Sequence, residues 1–194
     1  PLQRLGHEVW AVNTVEFSNH TGYGAWRGRA APAGQVAEIV DGIAARFTQP
    51  PYRRLPKEDS ELNTFLGAEP AFKRWHGRNV HAHKVPGYRA VVVSLKPPGI
   101  APGDITDTQM DGLATLADRV SSGQVRATHD QNLVLGEVRQ QDLYETWQGL
   151  AALGLATPNI GTLTDMICCP GLDFCSLANA SSISIAEQIN AHFD

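Results

Sequence analysis

The run YRAVVVSL, from Tyr88 to Leu95, restricts the fold more than any other stretch of this 194-residue chain. Consecutive β-branched side chains suit a pleated, extended backbone and crowd a helical turn, so the run reads as a buried strand. The breaker-rich PPGIAPGD ends it in a loop. Thr106 then opens a helix, with Gln109 as its capping-box partner and Met110, Leu113, Ala117 and Val120 along one face, and Gly123 stops it. QVRAT and NLVLGEV follow as strands around His129 to Gln131. QQDLYETWQGLAALG supplies a second helix through Leu143, Trp147, Leu150 and Leu153, closed by Gly154.

Strand, helix, strand, strand, helix is most of a ferredoxin-like α+β unit, one half of a larger arrangement. Ahead of it, Val36, Ile39, Val40, Ile43 and Phe47 follow helical spacing from Ala33, and Pro50-Pro51 ends that helix. Residues 50–87 read as a polar connector punctuated by proline, with a short helix around Glu58 to Leu66. The first thirty residues show little periodicity beyond a strand in WAVNTVEF, and AEQINAHFD at the other end has an amphipathic helical pattern. A first residue of Pro1 rather than Met suggests a piece of a longer polypeptide.

Composition removes several classes of function. With 42% hydrophobic and 19% charged residues and a net charge of -4, the chain has no general basic surface for nucleic acid or anionic lipid, and neither is expected as a partner. No apolar run approaches the ~20 residues of a membrane span, and PLQRLGHEVW lacks the regions of a secretory signal. The expected setting is cytoplasmic. All three cysteines fall between Cys168 and Cys175, which is no disulfide framework. Clustered thiols in a reducing compartment point to a metal or to redox chemistry.

Cys169 and Cys175 stand in a C-x5-C relation, with Pro170 after the first. Closely spaced thiolates hold iron–sulfur clusters, and a proline without an amide hydrogen keeps the turn from continuing as helix. Spacing alone is weak evidence, because free cysteines also pack as small buried hydrophobes and two can fall near each other by accident. Three longer segments decide the comparison: ICCPGLDFCSLANASSISIAEQI, GQVRATHDQNLVLGEV and RWHGRNVHAHKVPGYRAVVVSLKPPGIAPGDITDTQMDGLATLA. In that family order they resemble sirohaem- and [4Fe–4S]-dependent nitrite and sulfite reductases over roughly residues 70 to 190.

The resemblance implies residues 1–69 as the end of a preceding repeat plus connector, 70–156 as the second ferredoxin-like half-domain, and 157–194 as the start of the sirohaem and cluster domain. It implies an oxidoreductase carrying out six-electron reduction of sulfite or nitrite, fed by a ferredoxin or a reductase flavoprotein and completed by the remainder of the same polypeptide. Cys169 and Cys175 become ligands of the [4Fe–4S] cluster, and Cys168 a wall residue or an alternative ligand. Arg126 becomes the chief partner of the sirohaem carboxylates, because a planar guanidinium pairs them bidentately, with Thr128, Gln131 and Asn132 as neutral donors. Arg126 and Thr128 share a face if the strand continues through both. Ser176, Ala178 and Asn179 would lie near the cluster sulfurs.

Departures bear on this. Asp130 stands where one repeat of the family has an arginine, which suits the cluster-carrying repeat. A complete cluster needs four thiolates, and the family's second pair, C-x3-C, has no match in this chain. His76, His81 and His83 lack a cysteine or carboxylate at zinc-like spacing, and the glycines of GYGAWRGR, with Arg27 and Arg29, precede no phosphate-binding strand and helix. Lys84, Arg89 and Lys96 flank the first strand as ordinary basic residues or as one partner for sirohaem, and His129 is a candidate proton donor. The alternatives are a cofactor-free scaffold or partner-docking module of the same ancestry, and a small zinc module.

Overall fold

The computed structural model describes residues 15–17, 28–45, 52–55 and 60–193. These fall into two compact units, Pro1–Pro51 and Tyr52–Asp194. In the first, β1 (Val15–Phe17) and β2 (Gly28–Ala30) form a two-stranded antiparallel sheet, followed by α1 (Ala33–Ala44). The apolar spacing from Ala33 thus makes a helix, although none of its side chains is buried. Most of GYGAWRGR, and Phe47 with the Pro50-Pro51 pair, lie outside the described residues.

The second unit contains α2 (Ser60–Ala68), α3 (Pro70–Asn79), β3 (Val80–Ala82), β4 (Tyr88–Val93), α4 (Asp107–Val120), β5 (Val125–Ala127), β6 (Leu133–Arg139), α5 (Leu143–Ala152) and α6 (Ser182–Phe193). Its fold is α+β, with one antiparallel sheet ordered β3-β4-β6-β5. The capping box forms: the Gln109 amide donates to Thr106 Oγ1 at 3.2 Å, and the Thr106 amide donates to Gln109 Oε1 at 3.0 Å. Gly123 takes φ of +73° and its amide reaches back to the Ala117 carbonyl, a left-handed stop that costs glycine little.

Alternation along β4 sends Val91 and Val93 into the core, fully buried. They meet Leu113, Leu116, Ala117 and Val120 of α4 and Leu135 and Val138 of β6. Met110 does not join them: it is 56% exposed, and Leu116 takes the core position. The segment read as a connector is largely core-forming helix. Phe72 and Trp75 of α3 are fully buried, with Trp147 5.6 Å and Tyr144 5.2 Å from the Phe72 ring, and Tyr144 stacks on Phe65 of α2 at 4.0 Å.

Strand β6 carries a bulge. Val138 pairs with Arg89 and Leu135 with Val91, so Gly136 and Glu137 together oppose Ala90. One extra residue lets both Leu135 and Val138 face the core, and it turns Glu137 toward β5. A Cβ on Gly136 would stand 3.1 Å from Arg126 Nη1, so the glycine makes room for that guanidinium.

Candidate cysteine-turn site

After α5 the chain runs along the end of β4 and delivers the cysteines to the turn between β5 and β6. Gln131 occupies that turn in the left-handed region, at φ of +55°, where a non-glycine residue is uncommon. Its side-chain amide makes a two-point clasp: Gln131 Nε2 donates to the Cys168 carbonyl at 2.7 Å, and the Cys168 amide donates to Gln131 Oε1 at 2.8 Å. Thr128 Oγ1 accepts from the amides of Asp130 at 3.2 Å and Asn132 at 3.1 Å, shaping the turn that presents Gln131.

Behind this clasp lies a buried ion pair. Lys96 Nζ is fully buried and bonds Asp165 Oδ1 at 2.7 Å, the Asp165 carbonyl at 3.1 Å and the Asp130 carbonyl. Asp165 also accepts from Asn132 Nδ2 at 2.9 Å and from the Gly161 amide at 2.9 Å. Asn159 Nδ2 in turn donates to the Lys96 carbonyl at 3.0 Å. Lys96 is therefore neither an exposed basic residue nor an available anion partner, which corrects the expectation from its place at the end of a strand.

Burial pushes the Asp165 carboxyl up, but hydrogen bonds from Lys96, Asn132 and the Gly161 amide outweigh it and hold the carboxyl below the usual range. A carboxyl depressed by folding stabilises the fold fully above its unfolded value, about 3.9, and that contribution is lost as pH falls through the folded value. Stability should therefore drop more steeply below about pH 4 in the wild-type protein than in Asp165→Asn. Urea unfolding midpoints at several acidic pH values check this, and parallel slopes for the two proteins would refute it.

Backbone hydrogen bonds hold the cysteine turn. Pro170 starts a 3-10 turn over Gly171–Asp173, the Cys175 amide donates to the Gly171 carbonyl at 2.9 Å, and the Leu172 amide donates to the Ala180 carbonyl at 3.1 Å. All three cysteines are free thiols: Cys168 is buried, Cys175 half-buried and Cys169 exposed. Burial, then Cys169 and Asp173, push the Cys168 thiol up, and its Sγ donates to the Cys169 carbonyl at 3.3 Å. Cys168 is thus a buried thiol turned toward the backbone of its neighbour. Among the described residues no group of three or more His, Cys, Asp or Glu side chains gathers to hold a metal, the histidines of α3 and β3 included.

A cavity of about 450 Å³ opens beside the clasp, lined among others by Leu95, Gly103, Thr128, Gln131, Cys168 and Phe174. That volume is in the range of small-molecule sites. The PPGIAPGD loop forms one wall: the Gly103 amide returns to the Leu95 carbonyl at 2.8 Å, and a Cβ on Gly103 would meet Gln131 Cβ at 3.3 Å.

Of the four residues expected at sirohaem, Thr128, Gln131 and Asn132 line this cavity, and Arg126 does not. Arg126 Nη2 pairs instead with Glu137 Oε1 at 3.0 Å, and Ser122 Oγ donates to the other oxygen of that buried carboxylate at 2.8 Å. Arg126 and Thr128 are thus engaged with different partners, since β5 ends at Ala127. His129 is 91% exposed beside Asp130. Sequence reasoning missed Asp165 and Asn159, whose partners lie on distant segments. Gly136 inside NLVLGEV was a legible signal of a bulge.

Comparison with known proteins follows the same geography. Residues 82–153 match the nitrite/sulfite reductase ferredoxin-like half domain. The match covers just over a third of the chain and includes β4, α4, β5, β6 and α5, with the Gln131 turn. Short stretches also resemble pyridoxal kinase PdxY. The protein of Deinococcus radiodurans is 53% identical over 68 residues, 35% of this chain and 21% of the kinase. That of Rubrobacter xylanophilus is 70% identical over 46 residues, 24% of this chain and 16% of the kinase. The chain spans about a fifth of these kinases' length. No described helix is long and apolar enough to cross a membrane.

Proposed function

We propose that this chain is part of a sirohaem- and [4Fe–4S]-dependent nitrite or sulfite reductase, contributing a half-domain and two cluster thiolates. The observation that carries the reading is the clasp of Gln131 on Cys168, which joins the cysteine turn to the half-domain that matches the reductases. Cys169 and Cys175, exposed and half-buried on a backbone-bonded turn, fit two of the four ligand positions of a cluster. The other two thiolates would come from further polypeptide. When bound, the two groups supply electrons and an iron that takes the anion.

This chain's residues would orient and shield. Thr128, Gln131 and Asn132 line the cavity, together with Cys168. Arg126 would stand at the outer edge of the sheet with its charge offset by Glu137. Electrons would come from a ferredoxin or a reductase flavoprotein in a cytoplasmic setting. The test is the full-length gene product: iron, acid-labile sulfide and sirohaem absorption are expected, and Cys169→Ser or Cys175→Ser should each remove most of the iron whereas Cys168→Ser retains it. A colourless, iron-free product would sink the reading and leave a cofactor-free docking module.

A second reading concerns the leading part of the chain and rests on the kinase matches. They run to 70 residues, whereas only 41 residues follow Leu153. A stretch of that length clear of the half-domain fits only ahead of residue 82, where it would replace the preceding repeat expected by position. It would carry kinase ancestry in a segment far shorter than the kinases themselves.

A further inference from the structure

Lys96 hydrogen-bonds no cysteine and does not line the cavity, yet it is bonded to both segments that the Gln131–Cys168 clasp joins. Asp130 is the residue before Gln131, and Asp165 lies three residues before Cys168. Lys96 Nζ bonds the carbonyls of both, and the Asp165 carboxylate as well. All three ammonium hydrogens are therefore used, by groups on segments 34 and 69 residues away. Asn132 closes the arrangement, accepting from the Leu95 amide at 3.2 Å and donating to Asp165 at 2.9 Å.

We propose that Lys96 is a positioning residue, a buried latch that fixes the β5–β6 turn against the segment before the cysteines and so sets the Gln131 clasp on Cys168. A fully buried ammonium is stable only where its partners are complete, so the cation admits one arrangement of the two segments and penalises slippage. A neutral side chain there would leave the Asp165 carboxylate half-buried without its cation, and the two segments would separate first where the clasp joins them. The latch gives functional meaning to the cysteine turn through the reductase reading above, but its test does not need a cluster.

The experiment measures alkylation rates of the three thiols in the iron-free wild-type chain and in Lys96→Met, resolved by peptide mass spectrometry, with circular dichroism and urea unfolding as controls for the fold. Cys168 is 7% exposed and is expected to react slowly in the wild type. In Lys96→Met its rate should rise about tenfold or more through easier local opening, with Cys169 and Cys175 changed by less than about twofold. Gln131→Gly, which suits a left-handed backbone, should give the same selective rise without touching the ion pair. Should Lys96→Met not fold, the milder Asp165→Asn decides. An unchanged Cys168 rate, or equal acceleration at all three thiols, overturns the proposal. Iron content of the full-length product is a separate measurement, so loss of the cluster reading and loss of the latch are told apart.

Discussion

Trp75→Ala is expected to lower stability by about 3–5 kcal/mol, enough to leave a domain of ordinary stability marginal or unfolded at 25 °C. The indole is fully buried, 5.9 Å from the Phe72 ring, in the cluster joining α3 to β4, α4 and α5. Truncation removes its apolar area and leaves a cavity that the surrounding helices cannot close. Trp75→Phe separates packing from hydrogen bonding. Nε1 is buried without a partner, so the ring change loses volume but no hydrogen bond and should recover most of the loss. Urea unfolding of the three proteins measures this; an alanine variant within about 1 kcal/mol of wild type would show that α3 is not part of the core.

Gly171→Val should produce the largest local effect, at the cysteine turn. Gly171 has φ of +60°, and a Cβ there would lie 2.6 Å from the Ala180 carbonyl oxygen and 2.9 Å from the Ser182 amide nitrogen. Both are backbone atoms that cannot rotate away, and a β-branched residue tolerates the left-handed region least. A cost of at least about 2 kcal/mol falls on the 171–182 loop, a factor of roughly thirty in its opening equilibrium. The amides of Leu172 and Cys175, donated within this loop, should exchange about thirtyfold faster, while those of β4 and β6 keep their wild-type rates. Undisturbed exchange at Leu172 and Cys175 would mean the turn is not held as described.

Local chemistry was legible in the sequence and remote pairing was not. Helix α4 was readable because Thr106 and Gln109 cap it within four residues, and β4 because three valines leave few alternatives to a buried strand. Helix α3 was hidden by its own composition: among Lys73, Arg74, His76 and Arg78 only Phe72 and Trp75 mark a buried face. Pro70 reads as a breaker, although it sits at the first helical position, where its missing amide hydrogen costs nothing. Thr128, Gln131 and Asn132 stood out as polar residues between two strands. That the side chains of Gln131 and Asn132 bind the backbone of Cys168 and Leu95 depends on segments 37 residues away, which no local pattern encodes. Lys96 is the extreme case, a cation whose counterion lies 69 residues downstream.

Strand β3 occupies the edge of the sheet beside β4, the place a final strand after α5 would take in a complete ferredoxin-like unit. The scaffold is thereby finished by chain that precedes it. Everything after α5 is released from ladder duty and becomes an arm, free to diverge in length and in what it carries without breaking a rung of the sheet, provided that Asp165 and Cys168 still meet their partners.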